Sequence, residues 1–222
     1  MKCTDAERVP VHFIITGAGS GIGLATARLL ASRGHDLALF DQDLEALKSI
    51  ATTLVDRERV LCIGGDLSSE ADMGRAAEDI ATRFGRLDAV VANAGIKGVW
   101  APVDDLTPDE WDTTIRVNLR GTYLALNKTV PLLKANGGGA IVVVSSINGV
   151  RTFTDPGATA YSATKAAQVA MTEQLALELG RHRGYRTLHG LPGEDDLHAV
   201  HARRRTGRRH AERGGPTMRS GG

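Results

Sequence analysis

Tyr161 and Lys165 stand four positions apart in the segment Tyr161-Ser162-Ala163-Thr164-Lys165. On a helix this spacing puts both side chains on one face, with Cβ atoms roughly 5–6 Å apart. A free phenol, with a pKa of about 10, exchanges protons poorly at neutral pH. A neighbouring ammonium stabilises the phenolate and lowers that value. The pair is therefore a candidate general acid/base. The same four-residue spacing also arises by chance on solvated helix faces, so its weight depends on its surroundings.

A second group of residues suits a phosphate rather than a proton. Thr16-Gly17-Ala18-Gly19-Ser20-Gly21-Ile22-Gly23 follows the apolar run at 11–15 and precedes the helically spaced Ile22, Ala25 and Leu29. Glycines let a backbone approach a pyrophosphate, and a helix N-terminus supplies free N–H donors and a favourable dipole. Placement on the first strand-to-helix turn favours dinucleotide binding over a plain turn. Asp41 lies 18 positions past Gly23, at the end of a second apolar run. An acid there accepts hydrogen bonds from the adenosine ribose and repels a 2′-phosphate, which favours NAD over NADP. Asp41 could also cap the helix after it. Asp66-Leu67 could hold the adenine edge, and Asn93-Ala94-Gly95 gives a small turn where a cofactor must pass. Both could equally be ordinary strand-end turns.

These residues need elements to position them, and the chain alternates strand and helix. Strands are expected at 11–15, 36–40, 60–63, 87–92 and 140–145, and helices at 21–31, 44–55, 69–84 and 159–179. Thr107-Pro108-Asp109-Glu110 is a helix start with Thr at the cap and Pro at the first helical position. The apolar positions Ile115, Leu119, Leu124 and Leu132 predict one long helix from there to the glycines at 137–139. Such alternation implies a doubly wound parallel sheet of the Rossmann type, in three αβα layers. The candidate residues all follow strands, at the carboxyl edge where these sheets bind ligands.

Composition sets outer limits. The chain has 222 residues, a net charge of +1, 42% hydrophobic and 4% aromatic residues, which suits one sizeable domain with an aliphatic core. Cys3 and Cys62 have neither metal spacing nor a disulfide framework. Residues 1–10 lack the apolar segment of a signal peptide, and no apolar run approaches the roughly 18 residues of a membrane span. A soluble, cytoplasmic protein is expected.

The glycine turn, Asn93-Ala94-Gly95, Ser145-Ser146 before Gly149, and Tyr161-x-x-x-Lys165 are collinear over roughly residues 10–180. In this combination the chain resembles the classical short-chain dehydrogenase/reductase family. The resemblance implies that Ser146 binds and polarises the substrate oxygen, with Ser145 the less suitable neighbour. It implies that Tyr161 is the acid/base, and that Lys165 lowers the Tyr161 pKa and binds the nicotinamide ribose. Asn118 would hold a water in the proton relay. The Ser146–Tyr161 interval, with Asp155-Pro156-Gly157, is slightly longer than usual for the family.

Residues 181–222 differ from the rest, with 10 Arg, no Lys, 5 of the 7 His and 8 Gly. No apolar run there predicts a buried strand. This divides the chain into a dinucleotide-binding and catalytic domain at 1–180 and an atypical tail at 181–222. Three origins compete for the tail: a basic nucleic-acid-binding extension, a family variant, and a reading-frame shift near Arg183. The frame shift is the favoured one, so the sheet is expected to lack the last two strands of the family fold. Strand five would then have an open edge, and stability and turnover would be low.

The function expected is NAD-preferring hydride transfer between a nicotinamide cofactor and a small alcohol or ketone, without metal, nucleic acid or membrane. The alternative is a truncated, catalytically weak nucleotide-binding remnant. A sugar-nucleotide epimerase of the extended type fits the glycine spacing less well. Pairing of the two long helices, about 110–135 and 159–180, would give a homodimer or homotetramer.

Overall fold

The computed structural model describes residues 9–54, 56–151, 156–180, 185–190 and 198–200. The sheet begins with β1 (His12–Thr16) at its centre. Its neighbours Ile14 and Ile15 are both fully buried but join different cores, because successive strand residues face opposite sides. The same alternation sends Ala38 and Phe40 of β2 (Asp36–Asp41) to one core and Leu37 and Leu39 to the other. Strands buried on both faces read as continuous apolar runs, as these do.

Helices α1 (Gly21–Ser32) and α2 (Leu44–Thr53) cover one face through Ala27 and Leu47. The other face is covered by α3 (Glu70–Phe84), α5 (Gly121–Ala135) and α6 (Thr159–Leu179), through Met73, Ile80, Leu124, Leu133 and Leu179. With β3 (Val60–Gly64), β4 (Ala89–Ala92) and β5 (Gly139–Val144) the sheet runs β3-β2-β1-β4-β5, all parallel. Strand order reverses between β1 and β4, which opens a crevice at their carboxyl ends.

Two expectations are corrected. The sheet does not stop at β5. Residues Tyr185–Gly190 form β6, parallel to β5 from Gly139↔Tyr185 to Val144↔Gly190, and His198–Val200 form β7, antiparallel to β6. Two strands therefore extend the sheet past β5, which is paired along its whole length, and the antiparallel β7 departs from the all-parallel pattern of the other strands. Hydrophobicity predicts which strands are buried, but pairing needs only backbone N–H and C=O groups. An arginine- and histidine-rich stretch supplies those as well as any other. The remainder of the 181–222 tail, with its expected frame shift, lies outside the described residues.

The long helix before β5 is also not uniform. Between α4 (Pro108–Ile115) and α5, residues Arg116–Arg120 form a π-turn. Apolar periodicity continues across it, so the sequence pattern reads straight through. The start of α4 is as predicted: Thr107 and Glu110 form a capping box with Pro108 at the first position.

Candidate active site

The glycine turn is shaped by its neighbours. Gly17 (φ +66°) and Gly21 (φ +51°) adopt left-handed backbone open to glycine at little cost. A Cβ on Gly23 would collide with the Gly17 carbonyl oxygen. The Gly17 N–H donates to the Phe40 carbonyl (2.8 Å), tying the turn to β2. Across the crevice, Asn93 Nδ2 donates to the Thr16 and Gly17 carbonyls (3.0 and 3.2 Å). Thr16 Oγ1 in turn accepts the Asn93 and Ala94 N–H groups, both at 3.1 Å. Asn93 is thus a strut between the ends of β1 and β4, more than a plain turn residue. Thr16 completes it, although only its place in the glycine motif marks it in the sequence.

At the β2 end, Asp41 Oδ2 accepts the Gly19 N–H at 2.9 Å and Oδ1 accepts the Asp43 N–H at 3.2 Å. The α2 cap is Asp43, whose side chain accepts from Ala46 N–H, so capping does not account for Asp41. Asp66 Oδ1 accepts from the Ser68 N–H and hydroxyl (2.8 and 2.7 Å), and Arg116 lies 3.5 Å from Oδ2.

The π-turn carries Asn118, which is completely buried. Its Oδ1 accepts the Ile96 N–H (2.7 Å) and its Nδ2 donates to the Ile96 carbonyl (2.8 Å) and Thr164 Oγ1 (3.2 Å). The Asn118 carbonyl accepts from Thr122 Oγ1 (2.7 Å) and Gln168 Nε2 (2.9 Å). Asn118 thereby joins the loop after β4 to α6. Gln168 stands three positions past Lys165, a same-face spacing that could have flagged it.

Lys165 is 4% exposed and donates from Nζ to the Val144 carbonyl at 2.9 Å. Burial pulls its pKa down to about 8. Its ammonium sits 5.7 Å from the centre of the Tyr161 ring, so the pair does share one face. Ser145 donates its hydroxyl to the Lys165 carbonyl (2.8 Å). Ser146 caps the short turn Ile147–Gly149 by accepting the Asn148 N–H at 3.3 Å, and keeps its own hydroxyl proton to donate.

One cleft of about 430 Å³ runs along the crevice. It brings together Gly17, Ser20, Gly21, Ile22, Asp41, Asp66, Leu67, Asn93, Ala94, Gly95, Tyr161 and Lys165. Gly19, Gly23, Asn118 and Ser146 do not themselves line it, whereas Ser145 does. Lys97 lines it too, a residue that no motif in the sequence marks. The arrangement fits a dinucleotide. Side chains cap α2, α3 and α4, whereas Ser20 makes no side-chain cap bond and α1 has no acid in its first turn. The first N–H groups of α1 therefore face the cleft without a side-chain partner, as a pyrophosphate requires. Among the described residues, no cluster of His, Cys, Asp and Glu could hold a metal ion. No helix among them is long and apolar enough to cross a membrane.

A family model described as short chain dehydrogenase matches residues 11–189, reaching past residue 180 into β6. Levodione reductase of Leifsonia aquatica is 36% identical over 172 residues, covering 76% of this chain and 64% of that protein. The crystal structure of a 3-ketoacyl-ACP reductase from Sinorhizobium meliloti 1021 is 56% identical, with a TM-score of 0.76 over 81% of this chain and 70% of that one. A 3-ketoacyl-(acyl-carrier-protein) reductase from Brucella melitensis, complexed with NADH, is 34% identical with a TM-score of 0.75 over 82% and 73%. The chain spans 64–65% of the length of several curated relatives it matches.

Proposed function

The chain belongs to the short-chain dehydrogenase family, and from that premise we propose that it is an NAD-preferring oxidoreductase interconverting a small alcohol and its ketone. The observation that carries this reading is the continuity of the cleft. One crevice joins the glycine turn and Asp41 at one end to Tyr161 and Lys165 at the other. A bound nicotinamide would supply the hydride acceptor for alcohol oxidation, or the donor for ketone reduction.

The chain's own residues do the rest. The glycine turn and the open start of α1 hold a pyrophosphate. Asp41 accepts from ribose hydroxyls, Asp66 and Leu67 bound the adenine side, and Asn93-Ala94-Gly95 form the floor. Tyr161 takes the hydroxyl proton in oxidation and returns it in reduction. Lys165, charged below about pH 8, stabilises the phenolate by its positive field. Ser146, with a hydroxyl proton to give, donates to the substrate oxygen, since the Ser145 proton is spent on the Lys165 carbonyl. Asn118 keeps the loop after β4 against α6 and would hold the relay water of this family.

One relative is solved with NADH and another with 5-hydroxy-NADP, so the preference for NAD rests on the Asp41 charge, which repels a 2′-phosphate. The parent is expected to bind NADH at least about tenfold more tightly than NADPH, a difference of roughly 1.4 kcal/mol. Asp41→Ser should narrow that gap. Fluorescence titration of both nucleotides measures it, and equal affinities in the parent would remove Asp41 from the selectivity account. Binding of NADH with no turnover of any alcohol or ketone would favour the remnant over the enzyme.

A further inference from the structure

The charged residues that line the cleft divide by sign along its length. Asp41 and Asp66 stand at the β2 and β3 end, and Lys97 and Lys165 stand at the Tyr161 end. Lys165 is buried and bonded to the Val144 carbonyl, which leaves Lys97 as the exposed cation near the reacting phenol. Among the described residues, ion pairs hold Lys48 and Lys128 but not Lys97.

Lys97 is presented by an anchored loop. Its predecessor Ile96 is clamped on both backbone groups by Asn118 (2.7 and 2.8 Å). Its successor Gly98 has φ +66° and lies so close to Thr114 that a Cβ would collide with the Thr114 hydroxyl. Further along, the Ala101 N–H donates to the Gly157 carbonyl at 3.2 Å. Between these anchors the Lys97 ammonium lies 4.5 Å from the centre of the Trp100 ring. That ring is 6.5 Å from the Tyr161 ring, tilted by 42°. Trp100 is 39% exposed, an indole face beside the reacting group with a cation resting on it. An exposed cation–π contact is weak, so the ammonium can exchange it for a carboxylate, with which it forms a stronger charge-assisted hydrogen bond.

We propose that Lys97 and Trp100 select the substrate: Trp100 takes its apolar body and Lys97 pairs with a carboxylate. The substrate class is then a small secondary alcohol, or its ketone, that carries a carboxylate a few bonds from the reacting carbon. This rests on the oxidoreductase reading only for which end of the cleft meets the substrate.

The test uses the full chain with Trp111→Phe as background, so that emission reports Trp100 alone. Cyclohexanecarboxylate and its neutral isostere cyclohexanecarboxamide are titrated separately, with and without saturating NAD. The acid is expected to bind at least about tenfold more tightly than the amide, as a charged hydrogen-bond partner implies. Lys97→Met should erase that preference and Lys97→Arg should keep it. Equal affinities in the parent, no response to the acid at high millimolar concentration, or a preference that survives Lys97→Met would each overturn the proposal. If Lys97→Met does not fold, the parent and Lys97→Arg comparison still decides. NADH binding and turnover of neutral alcohols test the oxidoreductase reading separately, so failure of one is distinguishable from failure of the other.

Discussion

Lys165 combines a charge with nearly complete burial, and the two oppose each other. Desolvation lowers its pKa from the usual 10.5 to about 8. Below that folded-state value both the folded and unfolded chains carry the proton, and the buried charge costs stability. Between about 8 and 10.5 the unfolded chain binds the extra proton, so stability rises with pH. A shift of this size corresponds to roughly 3 kcal/mol. The stability of the parent relative to Lys165→Met is therefore expected to rise across that window, read from urea midpoints at each pH. A flat difference would mean that Lys165 is not desolvated. At this scale the sequence was informative where geometry is local. Tyr161 and Lys165 share a face because a helix repeats every 3.6 residues. The bond from Lys165 to Val144 depends on how α6 meets β5, and the stacking of Lys97 on Trp100 on the fold of an irregular loop. No spacing along the chain encodes that.

At the scale of elements, the π-turn at Arg116–Arg120 sets where Asn118 points. A π-turn inserts an extra residue into a helix, and such turns recur at functional sites. It places one amide against both backbone groups of Ile96 and against Thr164, joining three elements. Removing that amide leaves buried backbone groups without partners. Asn118→Ala is expected to cost roughly 2 kcal/mol and to lower kcat by more than stability alone would, because the loop bearing Lys97 loses its clamp. Thermal denaturation with steady-state kinetics checks this, and an unchanged kcat in a folded variant would contradict it. The start of α4 was legible because capping chemistry is local, as Thr107 and Glu110 show. The π-turn was not, because Ile115, Leu119 and Leu124 keep an apolar stripe that an added residue barely disturbs. Asn118 entered the sequence reading through family resemblance, and its clamp on Ile96 emerged only from the fold.

At the scale of the whole molecule, the sheet turns separate motifs into one cleft. The reversal of strand order between β1 and β4 sets the glycine turn and Asn93 face to face, while β5 and α6 bring Tyr161 to the far end. The alternation of apolar runs made this architecture legible, because parallel strands buried on both faces have a distinctive composition. The edge was misread for the converse reason. β6 pairs with β5 through backbone groups, in a stretch whose side-chain types do not advertise a strand. A paired β5 closes the edge that was expected to be open. The central claim is that this one crevice supports nicotinamide-dependent proton and hydride transfer through Tyr161. It is tested most directly by following NADH absorbance with the purified chain and its Tyr161→Phe variant against a panel of secondary alcohols and ketones. The parent is expected to turn over, and the variant to bind NADH unchanged while losing roughly 10²–10⁴-fold in kcat. A variant as active as the parent, or a parent that binds no NADH, would contradict the account.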